Sequence, residues 1–374
     1  MRILYVTDAL AVWGGIERVL SDKMNNLVRE YGYEIYVVTA DQGAHPIPFT
    51  LDERIHVKDL NIRFHQQYHY SGVKRIFKYW ELERLFGNRL KSYIMEIQPD
   101  VISCIRDGYA SIVLDVKGAI PLIFESHAMY RDVIFENSTL LHRIITYWKR
   151  RKLRNLDRLV ALTQGDANDW KRVCPHTCVI PNVVHLNESG NYSRCESKKA
   201  IFVGRFDVQK DFGTMLNVWT LIQKRHPEWI LNVYGNGKLK PIFENLLAEK
   251  NLNVVIHPAV PDIMEKYKEA SMLLMTSLYE PFGLVLVEAM SCGLPIVTFD
   301  CPYGPADIIN DGTDGFLVED RNVKAYADRV CQLMEDENLR QRMGKAAILS
   351  AQRYRPEIIM PLWNQLFTNL SNSK

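Results

Sequence analysis

Two glutamates, Glu280 and Glu288, bracket the run Glu-Pro-Phe-Gly-Leu-Val-Leu-Val-Glu. Glu280 stands just before Pro281 and Gly283, where a helix can begin, and Glu288 falls inside the apolar helix that we predict for residues 283–292. Because a buried carboxylate without a partner costs several kcal/mol, a polar group must lie opposite Glu288. The helix start also offers free backbone N–H groups to a phosphate or a sugar hydroxyl. The run therefore predicts a binding site for a polar, anionic ligand.

A second loop that could do chemistry follows the first predicted strand of the C-terminal half, and it reads Val203-Gly-Arg-Phe-Asp-Val-Gln-Lys210. Arg205 and Lys210 could clamp a diphosphate, Arg205 through its planar fork and Lys210 as a point charge. The alternative is a solvated loop in which these cations pair with neighbouring aspartates. The next strand ends in Tyr234-Gly-Asn-Gly237, a glycine turn that we expect at the same sheet edge as Arg205.

The N-terminal half carries two further candidates. Gly14 and Gly15 follow the first predicted strand and open the first helix, where a backbone can approach an anion closely. The alternative is an ordinary turn between a strand and a helix. The dinucleotide-binding pattern Gly-x-Gly-x-x-Gly is missing from this loop, which disfavours a nicotinamide dehydrogenase. His127 ends a buried strand, either as a hydrogen-bonding or acid–base group or as a structural histidine.

The elements that must position these residues are short β-branched runs alternating with helical patterns. We predict seven strands in the first half and six in the second, an alternation typical of parallel sheets covered on both faces. A polar, turn-rich stretch over residues 181–197 marks the seam. The fold class is therefore α/β, with two doubly wound, Rossmann-like domains, residues 1–185 and 186–356, facing a cleft. Ligands in such sheets bind beyond the carboxyl ends of the strands, where the candidate residues lie.

Composition limits the classes of protein. The chain has 374 residues, 47% of them hydrophobic and 24% charged, with a net charge of +2, which disfavours a general nucleic-acid binder. Seven scattered cysteines, an odd number, indicate reduced thiols. The apolar N-terminal run is interrupted by Asp8, which disfavours a signal peptide, and no apolar stretch is long enough for a transmembrane helix. We expect a cytoplasmic protein.

Two helical segments combine basic and aromatic residues. The helix predicted for residues 139–155 contains Trp148-Lys-Arg-Arg-Lys152, and the one predicted for residues 74–97 contains Phe77 and Trp80. Each is either a helix that lies on an anionic membrane, as a peripheral contact at the inner face of the cell membrane, or a solvated basic face. Both interpretations remain open from the sequence.

Taken in order along nearly the full chain, these motifs resemble the retaining family-4 glycosyltransferases of GT-B architecture. The family implies transfer of a sugar from a nucleotide diphosphate, with retention at the anomeric carbon and without a metal. The chain contains no Asp-x-Asp, the carboxylate pair with which many nucleotide-sugar enzymes hold a divalent metal. The motifs that carry the resemblance are Gly14-Gly15, His127, Pro181-Asn182, Gly204-Arg205 with Lys210, Gly235-x-Gly237, and Glu280 and Glu288 with Pro281-Phe-Gly283 between them.

The resemblance implies a role for each matched residue. Arg205 and Lys210 match the pair that holds the diphosphate, and Glu280 matches the glutamate that contacts sugar hydroxyls. Glu288 matches the glutamate that bonds the ribose. The remaining matches are the backbone of Phe282, Gly283 and Leu284 at the sugar- and phosphate-binding turn, Gly14 and Gly15 in the loop near the phosphates, the glycines Gly204, Gly235 and Gly237 of the nucleotide-sugar loops, and His127 near the transferred sugar.

The run from Cys301 to Ile309 is similar to a subgroup that moves hexoses or N-acetylhexosamines onto lipid-linked oligosaccharides, capsule or lipopolysaccharide. We therefore expect a UDP-sugar donor, a glycan or polyprenyl-linked acceptor, and neither a cofactor nor a metal. Two alternatives remain, a UDP-sugar epimerase of the same architecture and a non-catalytic sugar-nucleotide-binding partner. The family also implies that the last helix, within residues 357–374, packs back on the first domain.

Overall fold

The computed structural model describes residues 1–130 and 151–372. The chain divides into two compact units, residues 1–183 with 356–374 and residues 184–355. Each unit has its own parallel β-sheet covered by helices, which confirms the predicted α/β class with two doubly wound domains. The helix predicted for residues 139–155 lies largely outside the described residues.

The sheet of the first unit has the strand order β3-β2-β1-β4-β5-β6-β7 over the described residues, and every neighbouring pair is parallel. The order reverses between β1 and β4, so loops leaving their carboxyl ends diverge and leave room for a ligand. The strands are β1 Arg2–Thr7, β2 Glu34–Thr39, β3 Ile55–Asp59, β4 Val101–Cys104, β5 Leu122–Ser126, β6 Arg158–Ala161 and β7 Thr177–Val179.

The sheet of the second unit has the order β10-β9-β8-β11-β12-β13, again parallel throughout. Here the reversal lies between β8 and β11. The strands are β8 Lys199–Val203, β9 Ile230–Tyr234, β10 Val254–His257, β11 Met272–Met275, β12 Ile296–Phe299 and β13 Gly315–Val318.

Helices follow most strands, as the crossover connections of parallel sheets require. The first unit contains, among its described residues, α1 Gly15–Tyr31, α2 Gly72–Ile97, α3 Asp107–Val116 and α4 Gln164–Trp170. The second unit contains α5 Phe212–Gln223, α6 Lys240–Lys250, α7 Met264–Lys268, α8 Leu284–Ser291, α9 Gly304–Ile308, α10 Val323–Glu335 and α11 Glu337–Ala351, and the chain continues into α12 Pro356–Ser371.

Helix α12 belongs to the first unit although it follows the second in sequence. Its buried side chains, among them Met360, Trp363 and Phe367, join the core that α1 and the strands β1 and β2 form. The hydroxyl of Tyr33 lies 2.5 Å from Oδ1 of Asn364 and ties the end of α1 to α12. The chain therefore leaves the first unit after Val183 and returns to it at Pro356.

Candidate functional site

Lys210 and Glu280 form an ion pair at the reversal point of the second sheet. Lys210 follows β8, Glu280 follows β11, and Nζ of Lys210 lies 2.5 Å from Oε2 of Glu280. The hydroxyl of Ser277 donates to the same carboxylate oxygen at 3.2 Å. Both charged side chains are largely buried. Gly204 makes room for the pair, because a Cβ there would lie 3.1 Å from Cγ of Lys210.

Backbone hydrogen bonds hold the loops that carry this pair. The N–H of Leu278 donates to the carbonyl of Gln209 at 2.8 Å, which joins the loop after β11 to the loop after β8. Glu280 bonds through its own N–H to the carbonyl of Pro302, at 2.9 Å, and accepts at its carbonyl from the N–H of Gly304, at 2.8 Å. The position of the Glu280 backbone is thus fixed by the loop after β12, which contains the run Cys301 to Ile309.

Arg205 occupies a different environment from Lys210. Its side chain is 77% exposed, and its Nε lies 3.3 Å from Oδ2 of Asp207. This is the aspartate pairing that the sequence left open as an alternative. Asp207 also accepts from the backbone N–H of Lys210 at 3.1 Å. The structure therefore brings Lys210 and Glu280 together and leaves the Arg205 guanidinium at the surface of the same loop.

The glycine turn after β9 packs directly on the loop after β8. A Cβ at Gly235 would lie 1.9 Å from the carbonyl oxygen of Gly204, and one at Gly237 would lie 2.4 Å from that of Phe206. The N–H of Phe206 donates to the carbonyl of Asn236 at 3.0 Å. These glycines let two backbones touch at the sheet edge where Arg205 was expected to lie.

Gly283 stands immediately before α8 with a φ of 106°, in the left-handed region that favours glycine. The helix N-terminus beyond it begins at Leu284, which is half-buried. The ring of Phe282 packs edge-on against Tyr354, with the ring centroids 5.4 Å apart. Phe282 is therefore part of the core through its side chain, and only its backbone remains available to a ligand.

Glu288 is buried in α8, as the apolar sequence around it predicted. The required polar partner comes from α7, where the hydroxyl of Tyr267 lies 3.4 Å from Oε2 of Glu288. No sequence pattern pointed to this tyrosine, since it lies 21 residues away in a different helix.

In the first unit, Gly14 and Gly15 form the turn between β1 and α1. Gly14 has an extended backbone, and a Cβ there would lie 2.5 Å from Oε2 of Glu17. Burial raises the pKa of Glu17 above that of an ordinary glutamate. Gly15 is exposed and begins α1.

His127 follows β5 and is buried. Its Nε2 lies 3.3 Å from Oε2 of Glu125, and the same carboxylate oxygen contacts the ammonium group of Lys23. Sequence reasoning missed Lys23 and Glu125. A signal was present for both, because Lys23 lies on the apolar face of α1, between Val19 and Leu27, and Glu125 interrupts a buried strand.

Two family models match this chain over most of its length. Residues 13–188 match Glycosyltransferase Family 4, and residues 190–350 match Glycosyl transferases group 1. Together with a fold whose structural neighbours are GT-B glycosyltransferases, these matches show that the chain belongs to the family-4, group 1 glycosyltransferases.

Individual relatives span the whole chain. The "Amylovoran biosynthesis glycosyltransferase AmsD" of Erwinia amylovora is 25% identical over 375 residues, which cover 98% of this chain and 99% of that one. A Campylobacter jejuni protein, "GalNAc-alpha-(1->4)-GalNAc-alpha-(1->3)-diNAcBac-PP-undecaprenol alpha-1,4-N-acetyl-D-galactosaminyltransferase", is 23% identical over 378 residues and covers 100% of both chains. A crystal structure of an S. aureus TarM mutant with Fondaparinux, alpha-GlcNAc-glycerol and UDP superposes with a TM-score of 0.78 at 16% identity, covering 98% of this chain and 99% of that one.

Every helix within residues 1–130 and 151–372 is too short or too polar to cross a lipid bilayer.

Proposed function

We propose that this glycosyltransferase moves a hexose or N-acetylhexosamine from a UDP-sugar to a glycan or lipid-linked saccharide, with retention and without a metal or other cofactor. The observation that carries the proposal is the pair Lys210–Glu280 beside the N-terminus of α8. One group offers a cation to a phosphate, and the other offers a carboxylate to sugar hydroxyls.

The donor would replace contacts that the protein makes with itself. Lys210 is paired with Glu280, and a donor diphosphate would take over the ammonium group while sugar hydroxyls donate to the carboxylate. Arg205 is exposed on the same loop and can turn its guanidinium onto the phosphates. Glu288 would accept hydrogen bonds from the ribose. The UDP in the TarM complex supports this nucleotide as the donor carrier.

Leaving-group charge on the β-phosphate would be stabilised by Lys210, by Arg205 and by the N–H groups at the start of α8. These protein cations make a metal unnecessary for that task. We propose a same-face attack, in which the acceptor oxygen bonds to the anomeric carbon as the bond to phosphate breaks. The acceptor proton passes to the leaving phosphate oxygen. Glu280 orients the sugar during this step.

The names of the relatives support one class of acceptor. The printed names of two full-length relatives refer to amylovoran biosynthesis and to an undecaprenol-linked saccharide, which supports a lipid-linked or polymeric glycan acceptor here. The run from Cys301 to Ile309 fixes the backbone of Glu280, so it acts on donor geometry. Acceptor selection would then lie mainly in the first unit.

A donor screen tests the proposal. UDP release is measured with UDP-glucose, UDP-galactose and their N-acetyl forms, with and without a lipid-linked saccharide extract. We expect UDP release only when the extract is present, and we expect one of the donors to be preferred over the others. Conversion of the UDP-sugar without an extract would indicate an epimerase, and UDP binding without turnover under any condition would indicate a non-catalytic partner. Either result would overturn the proposal.

We also propose that the first unit binds an anionic membrane through α2. Val73, Phe77 and Trp80 lie on one face of this helix at spacings of four and three residues, and all are more than half exposed. The rings of Phe77 and Trp80 lie edge to face, with their centroids 5.8 Å apart. The opposite face buries Leu82 and Phe86 in the core.

Basic side chains surround this aromatic stripe. They are Lys74, Arg75, Lys78 and Arg84, and the acidic residues Glu81 and Glu83 only partly offset them. Aromatic rings that insert at a lipid interface, with cations beside them, match a bilayer with anionic headgroups. The second basic and aromatic segment, around Trp148, for which a membrane contact and a solvated face were both open, lies outside the described residues apart from its last part.

Vesicle sedimentation tests the membrane contact. Wild-type protein should bind vesicles that contain phosphatidylglycerol and bind phosphatidylcholine vesicles weakly. Phe77→Ser with Trp80→Ser should lower binding at least about ten-fold, since each ring loses about 1.5–3 kcal/mol of apolar burial. Leu349→Ser, at an exposed apolar residue of α11, is the matched control. Unchanged binding of the double variant would remove α2 from the contact.

A further inference from the structure

A buried lysine and a buried glutamate lie behind His127, and the donor chemistry proposed above does not use them. Lys23 is 1% exposed and Glu125 is 2% exposed. The ammonium group of Lys23 contacts Oε2 of Glu125 and lies over the ring of Trp363, 3.9 Å from its centroid. A buried ion pair is no more stable than apolar side chains of the same volume, so stability alone does not account for it.

Glu125 receives hydrogen bonds at both carboxylate oxygens. Ser103 donates to Oε1 at 2.5 Å, and Oε2 is shared by Lys23 and by Nε2 of His127. Burial opposes ionisation of Glu125, but the charge of Lys23 and the contact with His127 outweigh it and lower the pKa to about 2. Burial also lowers the pKa of Lys23. Glu125 is therefore a carboxylate at any pH at which the protein is expected to work.

A carboxylate only accepts hydrogen bonds, so the imidazole nitrogen that faces it must carry the proton. That nitrogen is Nε2 of His127. Its Nδ1 is then the nitrogen left for a ligand, since Glu125 is the partner that the ring has among the described residues. His127 also lines a pocket at the carboxyl ends of β4 and β5, together with Arg106 and Ser126.

We infer that Lys23 and Glu125 are positioning residues that hold His127 in the Nε2–H form and present Nδ1 to a ligand in the pocket at the carboxyl ends of β4 and β5. Lys23 keeps Glu125 ionised, Glu125 fixes the imidazole, and Trp363 closes the cluster from α12. This inference rests on the proposed function for the identity of the ligand, but the state of the imidazole is a property of the first unit alone.

The groups that face this cluster come from every neighbouring element. In addition to Lys23 and His127, the groups around Glu125 are Tyr5 of β1, Ser103 and Cys104 of β4 and Trp363 of α12, and Glu17 of α1 lies near His127. Burial raises the pKa of Tyr5 and of the Cys104 thiol, so neither supplies charge near neutral pH. Lys23 is therefore the cation on which ionised Glu125 depends.

Removing that cation should change the pH dependence of the reaction. Without Lys23, burial dominates and the pKa of Glu125 rises, so Glu125 is protonated at the acidic end of the working range. For Lys23→Met we expect kcat to fall at least about ten-fold on the acidic side and to recover as pH rises, with donor KM changed less than two-fold. Wild-type activity should show no such dependence on Glu125.

The imidazole itself can be observed. Nitrogen chemical shifts of labelled His127 distinguish the Nε2–H form from the Nδ1–H form and the imidazolium. We expect neutral wild-type His127 to be Nε2–H, and Glu125→Gln to give a mixture, because an amide can donate as well as accept. Ser103→Ala, which removes a donor from Glu125 and leaves Lys23 in place, is the control and should keep the wild-type form.

Three results would overturn the inference. They are an Nδ1–H imidazole in the wild type, an unchanged imidazole in Glu125→Gln, and a Lys23→Met pH profile parallel to that of the wild type. Trp363→Phe keeps a ring over Lys23 and replaces Lys23→Met if the latter does not fold; it should shift the profile in the same direction by a smaller amount. An Nε2–H imidazole in a protein without transferase activity would instead contradict the proposed function alone.

Discussion

Lys210 and Glu280 form an ion pair with each other in the structure. This pairing explains how two charged side chains can be largely buried when no donor is bound. The pair lies 70 residues apart in sequence and forms only because β8 and β11 are neighbours. A donor that separates this pair must therefore form interactions with both side chains that are at least as favourable as the ion pair. A diphosphate with sugar hydroxyls does so, since it carries an anion for Lys210 and donors for Glu280.

Lys210→Ala should lower turnover of the donor by roughly 100-fold, the size of one lost charge contact to the leaving group. The truncation also leaves Glu280 buried without its cation, so the melting temperature should fall. Lys210→Met combined with Glu280→Gln removes both charges, and it should recover the melting temperature without recovering turnover. Lys250→Ala, at an exposed lysine that ends α6, is the control. Turnover near the wild-type rate in Lys210→Ala would remove Lys210 from the site.

Asp166 gives a pH-dependent prediction of a different kind. It is buried in α4 and accepts from the N–H of Tyr130 at 2.8 Å and from Nε1 of Trp170 at 3.1 Å. Burial outweighs these bonds and raises its pKa from 3.8 to about 6. The folded protein therefore binds this proton more tightly than the unfolded chain does. The free energy of unfolding should fall by about 2 kcal/mol as pH rises from 4 to 6, and it should change little above pH 7.

Asp166→Asn removes this titration. The variant should become more stable relative to the wild type as pH rises from 4 to 7, measured by denaturant unfolding followed by tryptophan fluorescence. Asp115→Asn, at an exposed aspartate of α3, should run parallel to the wild type. A difference between Asp166→Asn and the wild type that is the same at pH 4 and pH 7 would show that Asp166 is not titrating in this range.

At the scale of elements, the strand and helix patterns were sufficient to predict the sheets. The prediction for the fifth strand, residues 120–125, differs from β5 at Leu122–Ser126. Pro121 has no N–H to donate to the ladder, although its carbonyl accepts from the N–H of Ile102 at 2.9 Å. Residue types at strand ends predicted which loops are candidates for the site, and their roles stay a prediction. Side-chain pairs between different elements could not be predicted, since nothing local links Lys23 to Glu125, which are 102 residues apart, or Tyr267 to Glu288.

Helix α12 contributes to the core of the first unit, although it follows the second unit in the sequence. Trp363 is fully packed against α1, over Lys23 and beside Phe367. Trp363→Ala should lower the free energy of unfolding of the first unit by about 3–5 kcal/mol, because a large cavity opens in the core. Leu362→Ala, one residue away on an exposed position, should change it by less than about 0.5 kcal/mol. Equal effects of the two variants would mean that α12 does not depend on its apolar face.

For the whole molecule, the sequence is sufficient to predict the fold class and the family. The structure adds the contacts between side chains. The α/β fold and the family followed from alternation and from motifs such as Gly204-Arg205 and Glu280 to Glu288. The contacts and exposure of the side chains in each motif did not follow from the sequence. Arg205 is exposed beside Asp207, whereas Lys210 is paired with Glu280. Donor and acceptor identity depend on side chains whose neighbours come from different loops, and no spacing in the sequence encodes those neighbours.

We propose that the protein transfers a sugar from a UDP-sugar with retention and without a metal. The most direct measurement is made in EDTA, with the preferred UDP-sugar and a lipid-linked saccharide acceptor, and the anomeric configuration of the isolated product is determined by NMR. We expect one UDP released for each sugar transferred, an α-linked product from the α-linked donor, and the same rate with and without the chelator. A β-linked product, or activity that EDTA abolishes and added metal restores, would contradict the proposal.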